Sequence, residues 1–265
     1  MNASAKFLLL FLILHTVKTD YCSFKCKKGI HTVCARKDVN CGPGPKCKNF
    51  KVMQFDDEDR QLVIDVHNQL RNRVATGQET IGPQPSATNM QAMLYQHPNY
   101  VLKSLKVDSA TNKELEYIAQ CHTNECVYHH DTCRSTSQWS WVGQSIMLQQ
   151  YKGMTIDTKR MINSTIYGWY KEVAQYEPAW VSKFDTHGRT VGHYTQIVWA
   201  TTNHVGCSLT FYDDDGWDTY YMACNYGPGG NIGSTPLYEQ GAPASNCGGL
   251  PGNAKYPGLC GPDSL

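Results

Sequence analysis

The sequence predicts an α+β fold, because three helical patterns occur between residues 56 and 175 while β-branched and aromatic runs follow Gly192. A third observation is the cysteine count. Twelve cysteines follow an apolar leader, and in an oxidising compartment an even number reads as up to six disulfides.

The leader has a basic Lys6, an eight-residue apolar run from Phe7 to Leu14 and a Val17-x-Thr19 stretch suited to cleavage. Eight apolar residues cannot cross a bilayer core of roughly 30 Å, so residues 1–19 are predicted to be a secretory signal peptide. No later run is long enough to span a membrane. The protein is therefore expected to be secreted and extracellular, with no membrane span. A formal net charge of +1 gives no basis for capturing nucleic acid. The chain has no C-x-x-C pair, no H-E-x-x-H and no G-x-S-x-G, so thiolate-metal, zincin and hydrolase readings lack their usual motifs.

Residues 20–55 form a cysteine-rich N-terminal extension, with five cysteines (Cys22, Cys26, Cys34, Cys41 and Cys47) among Lys, Gly and Pro. Such a segment is ordered by cross-links. From Asp56 the acidic DDED leads into Val63, Val66, Leu70 and Val74, spaced by three and four. Acids in a first turn favour a helix N-terminus, and this spacing predicts a helix over 57–75 with Gly77 as its stop. The Gly/Pro segment at 79–90 reads as loop, and His97-Pro98 argues against one continuous helix across 91–112. KELEYIAQCHTNEC predicts a second helix over 113–126, and Ile162, Ile166, Trp169 and Val173 predict a third over 158–175. YTQIVWA, HVGCSLTFY and DTYYMACNY, separated by TTN and DDDGW, read as three strands of an antiparallel sheet. The 39 residues from Gly227 contain ten Gly and six Pro, which forbids long elements there.

Local patterns now occur in order: YCSFKCKKGIHTVC at 21–34, HNQLRNRVATGQET at 67–80, GPQPSATNM at 82–90, HHDTCR at 129–134, GHYTQIVWA at 192–200 and CNYGPGGN at 224–231. Together they resemble insect antigen 5, the venom and salivary allergen branch of the CAP superfamily of cysteine-rich secretory proteins, antigen 5 and pathogenesis-related proteins. The resemblance implies a disulfide-rich α-β-α sandwich with an antiparallel central sheet, the CAP domain spanning 56–230 and a Gly/Pro-rich tail spanning 231–265. It also implies a shallow cleft flanked by two histidines and two acids. Carried over by motif, the histidines are His130 and His193, with His129 the alternative for the first. One acid falls on Glu172. The other position holds Gln144, which removes one charge from the cleft lining.

Two neutral imidazoles and a carboxylate on separate elements can form an open three-ligand site, so His130, His193 and Glu172 are the candidate ligands of a divalent metal, zinc or copper. Glu172 has an alternative role, hydrogen-bonding a histidine. The function implied is a secreted binding module of saliva or venom. Its partners would be the metal, a small lipid or sterol, and a host protein or cell target in haemostasis or immunity. Two rivals are a copper-dependent, superoxide-scavenging enzyme at the same residues and an extracellular defence protein with a vestigial site. The family pattern pairs Cys22 with Cys34, Cys26 with Cys133, Cys41 with Cys126 and Cys207 with Cys224. By elimination Cys47 is assigned to Cys121 and Cys247 to Cys260, though these four could also be crossed. His97, His122, His187 and His204 lack motif support and are read as surface or structural. Asn163-Ser164-Thr165 fits the N-glycosylation pattern but falls inside a predicted helix.

Overall fold

The computed structural model describes residues 19–94 and 109–263. All of the predicted signal peptide but Thr19, and the expected break at His97-Pro98, lie outside the described residues.

The N-terminal segment carries a single turn of helix, α1 (Thr32–Ala35), and then enters the sheet as strand β1 (Lys48–Val52). Helix α2 (Asp57–Ala75) begins with a reciprocal cap: the Asp59 amide donates to Asp56 Oδ1 at 2.8 Å, and the Asp56 amide donates to Asp59 Oδ2 at 3.2 Å. It ends where predicted, with Gly77 at φ +71°, a left-handed conformation that glycine adopts without strain. Helix α3 (Ser109–Thr123) is followed by strand β2 (Gly143–Tyr151), helix α4 (Thr158–Tyr170), helix α5 (Gly192–Ile197) and the hairpin strands β3 (His204–Asp214) and β4 (Trp217–Gly227).

The four strands are antiparallel in the order β1-β3-β4-β2. Alternation along β4 sends Tyr220, Met222, Cys224 and Tyr226 to a core shared with α2, α4 and α5, and Tyr221 and Ala223 to a second core shared with Ala119 of α3. Both faces are therefore covered, which is the expected α-β-α sandwich. The face of β3 toward α3 is polar and self-satisfying: Thr210 Oγ1 donates to Thr123 Oγ1 at 2.8 Å, and Gln120 Nε2 donates to Thr210 Oγ1 at 2.9 Å. Among the described residues, no helix is long and apolar enough to cross a membrane.

Four expectations change. The second helix, predicted over 113–126, runs over Ser109–Thr123. YTQIVWA is not a strand. Tyr194, Thr195, Gln196 and Ile197 are all buried, so no face of this run is left for solvent, and a short helix in the core satisfies it better than an alternating strand. The third helix stops at Tyr170 and tightens into a 3₁₀ turn over Lys171–Gln175. Strands β1 and β2 were not predicted, since neither Lys48–Val52 nor Gly143–Tyr151 carries a marked β-branched run.

The disulfide pairing is also corrected. Cys22–Cys34, Cys26–Cys133, Cys207–Cys224 and Cys247–Cys260 form as expected, but Cys41 bonds Cys121 and Cys47 bonds Cys126. The reason lies in the helix. Cys121 is three residues after Ile118 on the face of α3 that packs against Val33 and Cys41. Cys126 lies beyond the last residue of α3, beside Phe50 of β1, where Cys47 arrives.

Candidate metal centre

Glu172 sits in the 3₁₀ turn after α4, and this turn aims its carboxylate at the start of α5. One oxygen, Oε2, accepts the backbone amides of His193 at 2.9 Å and Tyr194 at 3.1 Å. The other, Oε1, lies 2.6 Å from His193 Nδ1. A carboxylate only accepts, so Nδ1 carries the proton and the lone pair of a neutral ring is left on Nε2. The His193 ring stacks on Trp169, with centroids 5.7 Å apart and planes 12° from parallel. Trp169 is itself buried and fixed by a 3.2 Å bond from Nε1 to the Ile146 carbonyl.

His130 is oriented through a longer chain. Asn225 Nδ2 donates to the Leu115 carbonyl at 3.2 Å, which leaves Asn225 Oδ1 to accept from Gln144 Nε2 at 3.2 Å. Gln144 Oε1 then faces His130 Nδ1 at 2.8 Å and accepts its proton. Anchored on a carbonyl that can only accept, the chain sets every amide orientation along it and leaves the lone pair on His130 Nε2. Gln144 and Asn225 are cross-strand partners in β2 and β4, so the sheet register supplies this alignment. His130 is exposed, yet partial desolvation by the groups around its ring holds its pKa below the usual imidazole value, and the Arg134 guanidinium pushes it the same way, so the neutral ligand form prevails near pH 7.

The structure thus pairs His193 with Glu172 and His130 with Gln144. Among the described residues, the His/Cys/Asp/Glu group whose ligand atoms gather within 4.8 Å of one another is His122, Glu125 and His129, not the predicted His130, His193 and Glu172. Among the described residues, neither His130 Nε2 nor His193 Nε2 has a hydrogen-bond partner, whereas both Glu172 oxygens are engaged. His129 turns away from Gln144: its Nε2 lies 3.1 Å from Glu125. Of the aromatic residues near the cleft motifs, Trp169 is fully buried and Trp141 is 47% exposed. The Asn163 amide donates to the Lys159 carbonyl within α4, and Thr165 of the same sequon is buried.

Some histidines read as surface or structural have defined places. His122 and His204 are buried, and His187 lies against Trp180 with ring centroids 4.3 Å apart. Sequence reasoning missed Arg71, a fully buried guanidinium in α2. It donates to the carbonyls of Gln91 (2.8 Å), Ile197 (2.7 Å), Trp199 (2.9 Å) and Ala200 (3.2 Å), tying α2 to the exit of α5. Its position one residue after the apolar Leu70 was the available signal, since an arginine there falls close to the buried stripe.

Comparison with known proteins places these residues in a family context. Residues 64–226 match the model of the CAP, cysteine-rich secretory protein, family. Venom allergen 3 of Solenopsis invicta is 36% identical over 237 residues, covering 86% of this chain and 92% of that protein. Venom allergen 5.02 of Dolichovespula maculata is 35% identical over 227 residues, covering 83% and 94%. The crystal structure of NaASP2 with Zn2+ superposes with a TM-score of 0.57 at 27% identity, covering 83% of this chain and 99% of that one.

Proposed function

The chain belongs to the cysteine-rich secretory protein family as an antigen 5-like member, and from that premise we propose that it is a secreted binding protein whose cleft histidines hold a divalent metal. The observation that carries this reading is the matched tautomers of His130 and His193. Each ring gives its Nδ1 proton to an acceptor and keeps its Nε2 lone pair free, which is how proteins prepare histidine ligands. Glu172 is assigned as the residue that orients His193, with its oxygens committed to one imidazole and two backbone amides. The metal would take two protein nitrogens and keep open positions for an outside ligand, and when bound it would supply Lewis acidity there. The structure of NaASP2 with Zn2+ supports zinc as the first ion to test.

A host protein or cell target, or a small lipid or sterol, is the partner class this reading carries, and the venom allergen relatives support a host-directed setting. Secretion is supported by the apolar leader and six disulfides. Zinc titration calorimetry on the purified protein is the direct test. Binding that survives unchanged in a His130→Ala, His193→Ala double variant overturns the metal assignment, and expression confined to tissue with no secretory outlet to a host overturns the host-directed one.

A further inference from the structure

Outside the cleft, three side chains converge where α3 gives way to the segment leading to His130. One ring nitrogen or carboxylate oxygen from each of His122, Glu125 and His129 lies within 4.8 Å of the others. Their hydrogen bonds do not balance. His129 Nδ1 lies 2.8 Å from the His130 carbonyl oxygen, and its Nε2 lies 3.1 Å from Glu125 Oε2. Both neighbours only accept, yet a neutral imidazole offers a single N–H. With a neutral ring, one of these two contacts is therefore left without a proton between its atoms.

His122 presents the complementary problem. Its Nε2 lies 2.6 Å from the His129 carbonyl oxygen and 2.8 Å from the Tyr221 hydroxyl, which itself donates to that carbonyl at 3.1 Å. Because a carbonyl cannot donate, Nε2 carries the proton and Nδ1 holds a bare lone pair. Nδ1 is buried with no hydrogen-bond partner among the described residues, on a side chain that is 0% exposed. A buried polar atom without a partner is costly, and a ring whose other nitrogen is donated to a backbone carbonyl is oriented as metal-bound histidines are.

We propose that His122, Glu125 and His129 form a second site for a divalent transition metal, with zinc the ion its two imidazoles and one carboxylate suit best, separate from the cleft pair His130 and His193. The ligands come from eight consecutive residues. The turn between them is held by Cys126, which has φ +54° and is bonded to Cys47. Tetrahedral zinc with bonds of about 2.0–2.2 Å sets its ligands roughly 3.4 Å apart, so the cluster tightens on binding. Glu125 and His129, with side chains 35% and 45% exposed, have the freedom to move in, while His122 is fixed by its Nε2 bonds. A fourth position is left to water.

The test titrates the metal-free, full-length mature protein with Zn2+ by calorimetry and with Co2+ by visible absorption. Two sites are expected in the unaltered protein. The Glu125→Gln, His129→Gln double variant, altered only at exposed side chains, is expected to weaken one site at least tenfold and keep the other. His130→Ala, His193→Ala should do the reverse, retaining the His122 site. Unchanged zinc stoichiometry and affinity in Glu125→Gln, His129→Gln overturns the proposal and assigns the cluster to an ion pair of protonated His129 with Glu125. The outcome is independent of the cleft: if His130 and His193 bind nothing, the unaltered protein has one site and the Glu125→Gln, His129→Gln variant has none.

Discussion

His193 shows how a single side chain acquires a direction. Its imidazole is held by Glu172 at one nitrogen and by the Trp169 face along its plane, so only Nε2 remains to act. Glu172→Gln keeps the size but leaves one oxygen to serve three N–H groups. Zinc affinity at the cleft is expected to fall roughly 10- to 100-fold with little loss of secondary structure, measurable by calorimetry beside circular dichroism. Two other histidines work through burial. Burial pushes His67 and His204 down to about 4, from an ordinary value of 6.5. Between these values the unfolded chain binds more protons than the folded one, so stability falls as pH drops from about 6.5 toward 4. The loss should be roughly 1–3 kcal/mol per histidine, read from urea unfolding midpoints at pH 7 and pH 4.5.

At the scale of elements, α5 is where pattern and context part. Its sequence reads as a strand by composition, yet beside local partners its polar side chains reach distant ones: Thr195 Oγ1 lies 2.7 Å from Asn231 Oδ1, and Gln196 Oε1 accepts the Gly230 amide at 3.0 Å. These partners lie more than thirty residues away, beyond any local period. Helix α2 was legible because its cap, stripe and stop are all local: Asp56, the Val63-to-Val74 series and Gly77. The candidate ligands were legible only through motif company, whereas the roles of Glu172 and Gln144 depend on a 3₁₀ turn and on strand register. Arg71 joins the two helices. Replacing it with Leu strands the Gln91 and Ile197 carbonyls, while those of Trp199 and Ala200 keep the Thr202 and Gln91 amides, and the expected cost is at least about 2 kcal/mol in chemical denaturation. A drop smaller than 1 kcal/mol would show that water replaces the guanidinium.

For the whole molecule, the disulfides set which parts move together. Cys41–Cys121 and Cys47–Cys126 lash the N-terminal segment to both the body and the end of α3, and Cys26–Cys133 ties it to the stretch carrying His130. Peptide mapping without reduction should recover fragments linking residue 41 with 121 and 47 with 126; the crossed fragments would refute this arrangement. The pairing was out of reach of the sequence because Cys121 and Cys126 are five residues apart, and only the end of α3 at Thr123 turns that spacing into different directions. Removing Cys207–Cys224, which joins opposed residues of β3 and β4, is expected to cost about 2–4 kcal/mol, read as a lower thermal midpoint in Cys207→Ser, Cys224→Ser.

Strand β1 is therefore more than the last turn of a cross-linked leader. It occupies the edge of β3, with Lys48 opposite Asp213 and Val52 opposite Thr210, and among the bonds that hold it there is Cys47–Cys126. A reducing agent would loosen this cover and offer the row of backbone groups on β3 to another chain.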